Sequence, residues 1–203
     1  MSFDYHVVDR LVPSSYADFL ETILLNSEIW QWNDSASGVD NNYDPNDSNI
    51  TDCGQLTHML FDFNTGPKSD IWLNVSPMVW FLEEHTGLKV NDFMRVKSNL
   101  TQPQHGVTKD MYNPPHVDTS DPNCISMVYY VNDSDGDTRL FNKTLEDGFL
   151  DMDMIVSNSP KKGSAIIFPS NKFHCSSIPV DSKKRIVLNF VFAVENPELL
   201  DTL

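Results

Sequence analysis

Apolar residues recur at helical spacing early in the chain and at strand spacing later. From Pro13 to Ile29, a Pro-Ser-Ser start leads into Tyr16, Phe19, Leu20, Ile23 and Leu24, at steps of three, one, three and one. This predicts an amphipathic helix with a capped start. Ser76 to His85 carries Met78, Val79, Phe81 and Leu82 and stops before Gly87, which predicts a second helix with a glycine end. Between them, after Trp30-Gln31-Trp32, turn formers and Asp fill residues 33–52 with no apolar period, the pattern of a long mobile loop.

From Arg95 the texture changes to eight short β-rich runs: RVKSNL, HVDTS, ISMVYYV, TRLF, MIVSN, SAIIF, FHCSSI and RIVLNFVFAV. Gly, Pro, Asn and Asp separate them, which predicts an antiparallel sandwich or barrel. The natural eight-strand form is the double-stranded β-helix, or jelly roll. The fold class expected is mainly β (α+β), with N-terminal supporting helices. A length of 203 residues suits one domain: helical support and variable loop over 1–94, core over 95–194 and a tail over 195–203. The stretch TQPQHGVTKDMYNPP is expected to form a loop beside His116.

A hydrophobic content of 40% excludes a disordered chain. Lys and Arg number 14 against 29 Asp and Glu, a net charge of −15 that repels phosphate backbones and anionic membranes and is compatible with cationic targets. Nucleic acid and membrane are therefore not expected as partners. No stretch approaches the ~20 apolar residues of a membrane span. Cys53, Cys124 and Cys175 form no spaced framework, and the start MSFDYHVVDRLV lacks a basic region followed by an apolar run. A reducing, cytoplasmic setting is expected, in which the Asn-x-Ser/Thr triplets at Asn33, Asn46, Asn49, Asn74, Asn99, Asn132 and Asn142 reflect only Asn-rich composition.

The chemistry gathers around His116-Val117-Asp118. Two residues apart on an extended strand, imidazole and carboxylate leave the same face and reach one metal. Such a triplet arises by accident about once in a chain with this many histidines and acids, so context decides. The context is His174, which a jelly roll brings alongside, and Arg185, opening the last apolar strand. Two imidazoles and a carboxylate on one face of iron(II) leave three positions open, and arginine offers a planar fork for a carboxylate. The turn NDSDGD is not a calcium loop: with Gly136 sixth, Val131 falls first and Asn142 twelfth. His6, His58, His85 and His105 lack acids at ligand spacing, and only His105 lies in the loop before His116.

HVD, then His174, then Arg185 on a final apolar strand resembles the iron(II)/2-oxoglutarate-dependent dioxygenase superfamily, particularly its prolyl 4-hydroxylase-like branch, over about residues 95 to 194. SMVYYVNDSDGDTRLF and KKGSAIIFPSNKFHCSSIPV resemble further stretches of that branch. The resemblance implies Fe(II) held by His116, Asp118 and His174, with 2-oxoglutarate and O₂ as co-substrates. Arg185 would anchor the distal carboxylate with Tyr130, and Asn99 would contact the other end; Asn189 faces the same side. Succinate and CO₂ would leave as an organic substrate is hydroxylated, in this branch a prolyl residue of a peptide or protein. Gly136-Asp137 departs from a Gly-Gly pair of many relatives, and Asp137 is expected to tolerate an unusual turn. Cys175, pointing away from His174, is expected to be a buried packer. Substrate choice would lie in loops 33–52 and 101–115, with Tyr43, Tyr112 and Trp32. Two other readings stay open: a non-oxygenase cupin-like metal or sugar-binding module, which has no need of Arg185, and a nucleic-acid dealkylating oxygenase, which the charge opposes.

Overall fold

A computed structural model describes residues 4–37, 47–197 and 199. Tyr43, Asn46 and the middle of the 33–52 loop lie outside the described residues, as does part of the 195–203 tail. The strands are β1 (His6–Val8), β2 (Gln31–Asn33), β3 (Gln55–Asp62), β4 (Gly66–Pro67), β5 (Val90–Thr101), β6 (Cys124–Tyr130), β7 (Thr138–Thr144), β8 (Met154–Asn158), β9 (Ala165–Pro169), β10 (Lys172–Ser176) and β11 (Arg185–Val194). The helices are α1 (Ser14–Leu25), α2 (Trp72–Val75) and α3 (Met78–Thr86).

A large antiparallel sheet has the order β1-β9-β6-β11-β5-β3-β2, with β4 beside β3, and a smaller one has the order β10-β7-β8. Together they make the mainly β jelly-roll sandwich with helices on one side. Alternation along the strands shows how. Ile125, Met127 and Tyr129 of β6, with Ile186, Leu188, Phe190 and Phe192 of β11, pack with Leu20 and Leu24 of α1 and Met78 and Leu82 of α3. The intervening Val128, Tyr130 and Val187 pack instead with Leu140 of the smaller sheet. Strand β6 is thus buried on both faces, which is why ISMVYY reads as continuous apolar sequence without a polar face.

Both expected helices form, with altered ends. Helix α1 stops at Leu25 rather than Ile29, where the backbone and side-chain amides of Asn26 both donate to the Thr22 carbonyl. Pro13 occupies its cap position and supplies no side-chain acceptor, so the expected side-chain cap is absent. The second helix begins at Met78, because Pro77 has no amide to continue α2 into α3. It ends as expected on Gly87, whose φ of 72° is left-handed and whose amide reaches the Glu83 carbonyl at 2.8 Å.

Two strand expectations are corrected. HVDTS forms no ladder, only one bridge between His116 and His174. Pro114 and Pro115 precede it without amide donors, and the Asp118 and Thr119 amides both go to the single Ser170 carbonyl. The segment before residue 95 is also more than helices and loop: β1 pairs with β9, while β2, β3 and β4 extend the large sheet past β5. Gln55–Asp62 escaped the pattern because Leu60 alone among its apolar residues is fully buried.

Phe190 lies at the centre of the helix-side core and stacks on Phe192 with ring centroids 5.3 Å apart. Phe190→Ala should destabilise the fold by about 3–5 kcal/mol, read as a lower urea midpoint at unchanged slope.

Candidate metal centre

The site is built where the two sheets face each other. The backbones of His116 and His174 exchange both hydrogen bonds, N–H to O at 2.9 Å each way. That pairing sets their imidazoles side by side, with ring centroids 4.5 Å apart. Two residues on, the Asp118 amide donates to Ser170 at 2.9 Å and turns its carboxylate to the same place. One ligand atom from each of His116, Asp118 and His174 falls within 4.8 Å of the others.

Hydrogen bonds fix how these groups present themselves. Nδ1 of His174 lies 3.1 Å from the Lys172 carbonyl, and Nδ1 of His116 lies 3.4 Å from that of Pro114. A carbonyl there favours the proton on Nδ1 and leaves the Nε2 lone pair free. Nε2 of His174 is buried and has no hydrogen bond with a described residue. The donor set and this orphaned nitrogen suit a divalent cation with an affinity for imidazole and carboxylate.

Charge is arranged to keep the set ready. Burial opposes ionisation of Asp118, but His174 and Arg95 beside it outweigh burial and hold its carboxyl well below the usual range. Arg95 Nη2 donates to one carboxylate oxygen; the other accepts from Ser126 Oγ at 2.6 Å and lies 3.5 Å from Asn189 Nδ2. Burial, followed by His174, pushes His116 down to about 3, and burial lowers His174 too. Both imidazoles are therefore neutral at neutral pH.

Arg185 is buried one end of a narrow slot away, lining it with His116, His174, Asn99 and Asn189. Its Nε donates to the Gly136 carbonyl at 2.6 Å and its Nη2 to Thr138 Oγ1 at 2.9 Å, while Nη1 has no hydrogen bond with a described residue. Gly136 makes this possible, since a Cβ there would meet Arg185 Cδ at 2.9 Å and backbone atoms of Ser177 and Pro179 at 3.0 Å. The side-chain oxygens of Asn99, Asn189 and Thr101 are buried without hydrogen-bond partners among the described residues. Tyr130 is buried, and its hydroxyl accepts from Asn158 Nδ2 at 2.9 Å.

Other expected residues stand apart from the three metal ligands. Asp137 has no left-handed backbone, correcting the expected unusual turn; its carboxylate accepts from Ser157 and Ser159 at 2.6 and 2.7 Å. Cys175 packs with Phe141 and Phe173, and burial pushes its thiol up. His105 and Trp32 are exposed, while Tyr112 donates to Asp47. Sequence reading missed Arg95, Lys97 and Ser126. The signal was present: Arg95, Lys97 and Asn99 alternate along β5 and so share a face. Burial, then Arg95, pushes the Lys97 ammonium down to about 8.

Comparisons with known proteins agree with this geometry. The family model described as the 2OG-Fe(II) oxygenase superfamily matches residues 102–193. No curated protein sequence matches the chain. Among solved structures, a prolyl-4-hydroxylase from Pseudomonas putida is 15% identical, with 96% of this chain and 94% of that chain covered and a TM-score of 0.57. A prolyl hydroxylase from Trichoplax adhaerens, solved with a hypoxia inducible factor oxygen degradation domain peptide fragment, is 14% identical over 99% and 87% of the two chains, with a TM-score of 0.59. The epimerase SnoN, solved with Fe3+, alpha ketoglutarate and nogalamycin RO, is 14% identical over 94% and 79%, with a TM-score of 0.62. These likenesses show a shared fold. The matched segment contains His116, Asp118, His174 and Arg185, and over that segment the chain is similar to the 2OG-Fe(II) oxygenase superfamily.

Proposed function

We propose that the chain is a single-domain hydroxylase in which His116, Asp118 and His174 hold iron(II) and Arg185 holds the C5 carboxylate of 2-oxoglutarate. The carrying observation is the three ligand atoms within 4.8 Å, one of them an orphaned, buried imidazole nitrogen, with a buried arginine on the same slot. Iron(II), when bound, supplies the redox chemistry with O₂ and 2-oxoglutarate, from which succinate and CO₂ leave. The chain's own residues supply placement. Arg185, fixed by Gly136 and Thr138, keeps Nη1 for the carboxylate. Asn99 brings its unpaired side chain to the co-substrate, and Tyr130 stands beside Arg185 with its hydroxyl on Asn158. The slot holds about 40 Å³, so 2-oxoglutarate would enter by parting its lining side chains.

A prolyl residue of a peptide or protein is the proposed target, supported by the fold shared with two prolyl hydroxylases. A cytoplasmic setting suits ferrous iron and three buried free cysteines. The cupin-like and nucleic-acid readings are weaker, because Arg185 serves no purpose in the first and the charge of −15 opposes the second.

Anaerobic absorption spectra test the reading. Wild type with iron(II) should gain a weak visible metal-to-ligand band on addition of 2-oxoglutarate. His174→Ala should lose it, and Arg185→Ala should need about 30-fold or more 2-oxoglutarate, as for loss of one partner of a buried charge pair. Iron demonstrably bound without the band in wild type would sink the co-substrate assignment and favour a cupin-like module.

Gly136→Ala should weaken 2-oxoglutarate while sparing iron, because its methyl collides with the Arg185 stem rather than with a metal ligand. The same titration should then show a normal iron stoichiometry and about a tenfold or greater rise in the 2-oxoglutarate needed.

A further inference from the structure

On the proposed reading, Asp118 answers Arg95 and the metal, and the two carboxylates of 2-oxoglutarate answer the metal and Arg185. Lys97 is left without an anion. Its ammonium makes no hydrogen bond or ion pair with a described residue, and the nearby Asp118 already has both oxygens engaged. The side chain is half-buried. An unpaired cation in that position costs desolvation that a bound anion would offset.

Register places Lys97 at a junction. On β5 it lies between Asn189 of β11 and Met59 of β3, and two residues along, Asn99 lies between Val187 and Thr57. Thr57 is opposite Gln31 of β2, and Gln55 is opposite Asn33. The inner face of the large sheet therefore runs on past the metal centre, beyond the cover of the smaller sheet, as a groove of about 580 Å³ lined by Gln31, Asn33, Gln55, Thr57, Met59 and Lys97. Lys97 and Gln55 line both this groove and the slot of the metal centre. Amides and hydroxyls dominate the wall. The one acid among its described residues, Asp34, already accepts the Trp32 indole N–H at 2.7 Å.

We propose that this groove is the substrate site and that Lys97 binds a carboxylate of the substrate at its metal-side end. The substrate class is then a carboxylate-bearing molecule, such as an amino acid or a peptide ending in a free α-carboxylate, with the oxidised C–H close to that group. A charge-assisted contact beside the reacting centre orients the substrate, and the polar wall receives the rest of it.

Calorimetry under anaerobic conditions, with protein loaded with iron(II) and 2-oxoglutarate, tests this without turnover. The probes are N-acetyl-L-proline and its amide, similar in shape, of which only the first is an anion. Wild type should bind the acid at least about tenfold tighter than the amide. Lys97→Met should abolish that discrimination, and Lys97→Arg should retain it. Equal binding of the two probes, binding of neither, or discrimination that survives in Lys97→Met overturns the proposal. A Lys97→Met protein needing over about tenfold more 2-oxoglutarate also overturns it, by placing Lys97 on the co-substrate. The metal-to-ligand band of the same wild-type sample keeps the two readings apart: its absence counts against the oxygenase reading, whereas a normal band with undiscriminating binding counts against Lys97 alone.

Discussion

A carboxylate between two β-sheets must be given charge and hydrogen bonds, or it takes up a proton and ceases to be a ligand. Asp118 meets that demand from three directions. Arg95 comes from β5, Ser126 from β6 and Asn189 from β11. Three central strands of the large sheet thus converge on one side chain, and their order, with β11 between β6 and β5, is what allows it. The register of the sheet and the ionisation of the site are two aspects of one arrangement.

The two sheets divide the work. The large one contributes cations and amides from adjacent strands, all on its inner face, while its outer face is occupied by the helices. The smaller one contributes His174, the bridge to His116 and Thr138 under the guanidinium. Neither sheet alone forms a site. The loop before His116 is tied down by Asn113, which accepts the Cys53 amide and donates to Ser176, so the unladdered HVD triplet is held from both sides.

Much of this was legible in the sequence. His116, Asp118, His174 and Arg185 stood out because chemistry and spacing coincide there, and the apolar runs of β6, β9 and β11 announce buried strands. What could not be read has physical causes. The triplet looks like a strand, yet prolines and a shared acceptor deny it a ladder. Strand β3 mixes polar residues into both faces, Gln55 and Thr57 on the one that looks into the groove and buried His58, 3.2 Å from Ser27 Oγ, on the other, so no clean alternation survives. Arg95 and Lys97 resemble surface charges until register turns them inward. Ser126 looks like an accident within an apolar run, though its hydroxyl is one of the groups holding Asp118.

Strand β6 carries a consequence for how the chain reaches this state. It is a seven-residue uncharged run of β-forming residues, the composition of segments that self-associate when left open. Its two neighbours in the sheet, β9 and β11, both lie later in the chain. During synthesis, β6 therefore emerges before either partner exists and lacks its full pairing until β11 has been made. Asp121 on one side and Asp133, Asp135 and Asp137 on the other flank it closely with negative charge. The acidity of this region thus guards an unavoidable sticky strand while its permanent partners are still being made.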